Sequence, residues 1–116
     1  MPDWTATASP GPVPYALSHE ANLFAGLFGY PLAVGRDASE GTNKILWIAR
    51  EPREGQPLRL TLRRTDGMGP TVTTVEPPNS GPGEIYPSIV DVPTAGCWRI
   101  SAEWAGHTAT LELAYA

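Results

Sequence analysis

The stretch TAGCWRISAEWAGHTATLELAY, Thr94 to Tyr115, decides the fold. A two-residue turn at Ala105-Gly106 sets Trp104 opposite His107, and the rest of the register follows. Trp98 then faces Leu113, Ile100 faces Leu111 and Ala102 faces Ala109, so one side of the hairpin is apolar. On the other side Arg99 faces Glu112, Ser101 faces Thr110 and Cys97 faces Ala114. Opposite charges and paired hydroxyls are what cross-strand neighbours favour. A slip by one residue would set Trp98 against Ala114 and turn the apolar set toward water. The stretch therefore predicts an antiparallel hairpin.

The same period of two runs outward from it. In PLRLTLRRT, Leu58, Leu60 and Leu62 alternate with Arg59, Thr61 and Arg63. EANLFAGLF, residues 20–28, reads as a strand buried on both faces, because Leu23, Ala25 and Leu27 alternate with Phe24 and Phe28. Further strands are expected at 44–50 (KILWIAR), 71–76 (TVTTVE) and 84–92 (EIYPSIVDV). Pro87 within the last implies an edge or a bulge, since proline has no N–H for a ladder. Residues 1–19 hold four prolines and little periodicity, and read as an extended arm. Thirteen prolines and twelve glycines punctuate the whole chain. The expected fold is all-β: an antiparallel, immunoglobulin-like β-sandwich of about seven strands over residues 20–116.

Composition narrows the function. The 116 residues carry a net charge of −4 with no basic stripe, which disfavours a nucleic-acid partner or a polybasic membrane anchor. No run approaches the ~18 apolar residues of a membrane-spanning helix. The first basic residue is Arg36, so no signal peptide is legible. MPDWTATASPGPVPY nevertheless reads like the start of a mature exported chain, and the expectation is that a signal segment has been removed.

Catalytic chemistry finds little support. Cys97, the one cysteine, and His107 invite comparison with a thiol dyad. The predicted register puts them on opposite faces and about 24 Å apart. His19 sits in the predicted arm, with nothing to draw it to the thiol. Two histidines and one cysteine match no zinc spacing. Asp37, Glu40 and Asn43 in RDASEGTN are too sparse for a dedicated calcium loop. Glu51 and Glu54 alternate with Arg50 and Arg53, as in a self-neutralising surface loop. There is no GxSxG elbow and no phosphate-cradling glycine loop. No metal and no cofactor are expected.

Alternating strands place successive loops at opposite ends. One end should gather 51–56, 77–83 and the 105–106 turn, bringing together Arg53, Glu54, Asn79, Ser80, Trp104 and His107 as candidate ligand-binding residues. There Trp104 is either an anchor for a protein or sugar, or a cap on the core that His107 covers. The loops 29–43, 66–70 and 93–96, at the other end, look like spacers.

DVPTAGCWRIS resembles the start of strand F in immunoglobulin-like domains. Trp98 takes the aromatic corner position, and Ile100 the place where antibody domains have a cysteine. That departure leaves no inter-sheet disulfide, and an indole is not expected to reproduce the corner phenol's hydrogen bond. More widely, NKILW, PPNSGPGEIYPS, PTAGCWR and WAGHTATLEL, spread over about residues 20–115, resemble a set of small exported bacterial proteins of unknown function. The resemblance implies an exported immunoglobulin-like domain and no activity. The function expected is a non-enzymatic binding or interaction module of the bacterial envelope or exterior, with a protein or glycan partner. The alternatives are a small hydrolase or a hydrolase inhibitor acting through 77–83, and a structural assembly subunit.

Overall fold

The computed structural model describes residues 14–35, 41–78 and 84–116. Among the described residues there is no helix; eight strands form two antiparallel four-stranded sheets, a β-sandwich. In chain order these are β1 (Tyr15–Leu17), β2 (Leu23–Leu27), β3 (Lys44–Ala49), β4 (Leu58–Arg64), β5 (Val72–Glu76), β6 (Ile85–Ile89), β7 (Gly96–Trp104) and β8 (His107–Tyr115). The first sheet runs β1-β2-β3-β6 and the second β5-β4-β7-β8. The chain therefore crosses between sheets from β3 to β4, from β5 to β6 and from β6 to β7.

The β7–β8 hairpin has the register that its sequence predicts, from Gly96 opposite Tyr115 to Trp104 opposite His107. Ala105 and Gly106 turn the chain with φ of 46° and 82°, left-handed values that suit a two-residue hairpin. Trp98, Ile100, Ala102 and Trp104 are buried, and so are Ala109, Leu111, Leu113 and Tyr115. Leu58, Leu60 and Leu62 of β4 enter the same core. Each such leucine stabilises the fold by roughly 1.5–3 kcal/mol through burial alone.

The first sheet supplies Leu23, Ala25, Leu27, Ile45, Trp47 and Tyr86. β2 is buried on both faces, as its composition implies. Phe24 points away from the inter-sheet core yet is only 1% exposed. The Tyr15 ring stacks on it, centroids 5.1 Å apart at 20°. The buried aromatic polar atoms also find partners. Trp47 Nε1 donates to Ser88 Oγ at 2.9 Å, Tyr86 Oη to the Gln56 carbonyl at 2.8 Å, and Tyr115 Oη to the Val90 carbonyl at 2.7 Å.

The structure corrects several expectations. One strand joins the seven read from the sequence, because Tyr15–Leu17 pairs with β2. The arm reading thus fails for those residues; three residues between Pro14 and Ser18 are too few to show a period. The strand expected over 20–28 begins only at Leu23. Ser18 Oγ accepts the N–H groups of Asn22 and Leu23 at 3.1 and 3.0 Å, and Ala21 has φ 57°, so 18–22 is a turn. Finally, the Trp98 indole does tie back to the backbone, donating to the Thr94 carbonyl at 2.9 Å.

One edge is the one that the sequence implied. Pro87 lies on β6, at the margin of the first sheet. The free margin of β8 is covered in two places. His19 N–H donates to the Thr110 carbonyl at 2.8 Å, and Glu20 Oε1 accepts the Thr110 N–H at 2.7 Å. At the far end Val34 N–H donates to Ala116, whose own N–H donates to Leu32. The segment 29–35 is therefore part of the framework rather than a spacer.

Candidate functional site

The loop after β3 turns sharply, with Glu54 at φ 52° and Gly55 at φ 71°, and Gln56 N–H donating to the Arg53 carbonyl at 2.9 Å. This aims Arg53 inward. Its backbone N–H and its Nε both donate to Glu84 Oε2 at 2.9 Å, and Nη1 donates to the Ile85 carbonyl at 3.0 Å. The guanidinium lies 6.0 Å from the Tyr86 ring centroid. With a side chain only 14% exposed, Arg53 clamps its loop to the start of β6. Burial raises the Tyr86 phenol pKa; the Arg53 charge opposes the rise and the Glu84 carboxylate adds to it.

Trp104 closes the core beneath the hairpin tip. It is 2% exposed, and its Nε1 donates to the Glu51 carbonyl at 3.3 Å. His107 packs over it with ring centroids 5.7 Å apart and planes tilted by 42°. Of the two sequence readings of this pair, the structure matches the cap: the indole is buried in the core, and the half-buried imidazole lies beside it on the same face of the hairpin. Glu54 is exposed at its turn. Asn79 and Ser80 lie outside the described residues, as do Asp37 and Glu40.

Loops 51–56 and 105–106 do share one end of the sandwich. Between them lies a cleft of about 230 Å³, lined among others by Gln56, Arg59, Glu103, Trp104, His107 and Thr108. Of the expected residues that the structure describes, Trp104 and His107 line it. Arg53 and Glu54 do not, whereas Arg59, Glu103 and Gln56 enter unannounced. The missing signal was non-local. Arg59 of β4 is the cross-strand partner of Glu103 of β7, a pairing that links distant parts of the chain. Guanidinium, imidazole, carboxylate and amide converge here, a set suited to hydrogen-bonding a polar ligand.

The remaining reactive groups stand apart. Cys97 is exposed, opposite Ala114, on the face away from the core, while His107 is opposite the buried Trp104. Thiol and imidazole are thus at opposite ends and on opposite faces of the hairpin. His19 Nε2 is 2.7 Å from Glu112 Oε1, and this hydrogen bond is the main reason that the Glu112 carboxyl pKa is lowered. Asn43 is committed to structure: its Nδ2 donates to the Ala33 carbonyl and to Asp91 Oδ1, both at 2.8 Å. Among the described residues no three His, Cys, Asp or Glu side chains gather as metal ligands. Among them, too, no helix is long and apolar enough to cross a membrane. Comparison with known protein families, curated proteins and solved structures finds no match to this chain.

Proposed function

We propose that the protein is a non-enzymatic binding module of the bacterial envelope or exterior, engaging a protein or glycan through the hairpin-tip end of an immunoglobulin-like sandwich. The carrying observation is the cleft in which Gln56, Arg59, Glu103 and His107 converge over a buried tryptophan. The crossings from β3 to β4, β5 to β6 and β6 to β7 support the immunoglobulin-like reading. A rigid scaffold presenting polar groups at loop ends is a common arrangement for recognition. The test is retention of the labelled chain on isolated bacterial envelope material. His107→Ala should lower retention about fivefold, while Cys97→Ser, at the far end of β7, leaves it unchanged. Equal retention of wild type and His107→Ala sinks the site.

One observation favours assembly as a second reading. Tyr15, Leu17, Phe28 and Ile89 are exposed apolar side chains associated with the outward side of the first sheet, with Lys44 among them. A second copy packing there through a two-fold axis would cover them. Light scattering of the full chain tests this: a dimer that Ile89→Asp dissociates supports it, and a monomer at all concentrations rejects it.

A further inference from the structure

The outward face of the second sheet breaks a rule of sheet assembly. Arg63 of β4 and Arg99 of β7 are direct cross-strand partners. Their Cβ atoms are then about 5 Å apart, and like charges so placed destabilise a sheet. Both residues are exposed. Arg99 Nε reaches Glu112 Oε2 at 3.3 Å, but His19 holds the other oxygen of that carboxylate at 2.7 Å. Arg63 is in no ion pair among the described residues.

The neighbours of this pair are polar in an ordered way. Thr61 faces Thr73 on one side and Ser101 on the other, and Ser101 faces Thr110. A row of hydroxyls thus crosses all four strands. Beyond the row, Arg59 stands about 14 Å from Arg63 by strand rise, where it also lines the hairpin-tip cleft. Arginines and hydroxyls therefore form a lane from the Arg63–Arg99 pair to the cleft.

We propose that this lane binds an acidic polysaccharide, with carboxylate or sulfate groups at Arg63–Arg99 and at Arg59, and sugar hydroxyls on the Thr61–Ser101 row. The planar guanidinium fork matches an oxyanion, and an anion shared by two forks turns their repulsion into attraction. Nucleic acid fits less well. The outward residues of these strands include no aromatic ring on which bases could stack. The proposal rests on the binding-module reading and names its ligand class.

The test is calorimetric titration of the full chain at low salt with dextran sulfate, polygalacturonate, uncharged dextran and single-stranded DNA. The two acidic glycans separate sulfate from carboxylate recognition. At least one should bind, uncharged dextran should not, and DNA should bind more weakly. Arg63→Gln and Arg99→Gln should each lower glycan affinity about tenfold. Arg50→Gln, an exposed arginine off this face, should leave it unchanged. Arg63→Gln should also melt no lower than wild type, because it removes a like-charge pair. Absence of binding to both glycans overturns the proposal, as does tighter DNA binding or an Arg50→Gln effect equal to that of Arg63→Gln. A glycan affinity that falls with His107→Ala and not with Arg63→Gln overturns the lane and leaves the tip site standing. The reverse pattern overturns the tip site and leaves the lane.

Discussion

Asp66, exposed at the surface, organises the turn after β4. Its carboxylate accepts from Arg64 Nη2 at 2.7 Å and from the Met68 N–H at 2.9 Å. The Arg64 hydrogen bond is the larger cause that holds its pKa at about 2, below the ordinary 3.8. Arg64 then reaches on to Thr94 Oγ1 at 2.9 Å and to the Ala95 carbonyl, so one guanidinium joins two loops. A carboxyl with a depressed folded pKa contributes fully above its unfolded pKa, and loses that contribution as pH falls toward the folded one. The melting temperature of Asp66→Asn should therefore lie below wild type at pH 5, with the gap closing between pH 4 and 2. Thr74 shows the opposite situation: its Oγ1 is enclosed without a hydrogen-bond partner. Thr74→Val keeps the shape, removes the unsatisfied hydroxyl and should stabilise the fold by about 1 kcal/mol in denaturant unfolding. Arg53 is held by partners far along the chain. EPREG reads as part of a self-neutralising surface loop, yet Arg53 is bound to Glu84 and Ile85. No local pattern reveals a partner thirty residues away.

Strands and their inward faces were legible because alternation is local. A period of two needs only a few neighbours, and a two-residue turn leaves the β7–β8 hairpin a single register that suits both of its faces. The proline in β6 was equally informative, since a missing N–H excludes a central strand. β1 was not legible, and neither was the turn that delays β2. Gly29 marks a second place where the element depends on distant backbone. A Cβ there would collide with the Thr42 carbonyl oxygen and come within 2.8 Å of the Lys44 nitrogen. Gly29→Ala should accordingly cost about 3 kcal/mol or more in denaturant unfolding, by forcing the end of β2 away from the start of β3. An unchanged midpoint would show that the two backbones are not in close approach.

The two outward faces of the sandwich differ. The first sheet turns exposed Tyr15, Leu17 and Ile89 outward, and the second turns Arg59, Arg63, Arg99 and a hydroxyl row. The hairpin-tip cleft lies at one end, over a tryptophan that belongs to the core. Trp104→Ala should cost about 3–5 kcal/mol in stability, with thermal unfolding as the readout, so lost binding in that variant reports on folding. His107→Ala, at a half-buried position, should leave the melting temperature within a few degrees of wild type. The sequence alone determined the all-β class, the alternating faces and the register of the last hairpin, since each depends on residues close along the chain. Only the tertiary structure decided which strands became neighbours. That choice set Arg63 against Arg99, brought Arg59 beside Glu103, bound Arg53 to Glu84 and enclosed Trp104. The physical reason is that pairing between distant strands follows from packing two sheets around one shared core, and no short stretch of sequence contains that information.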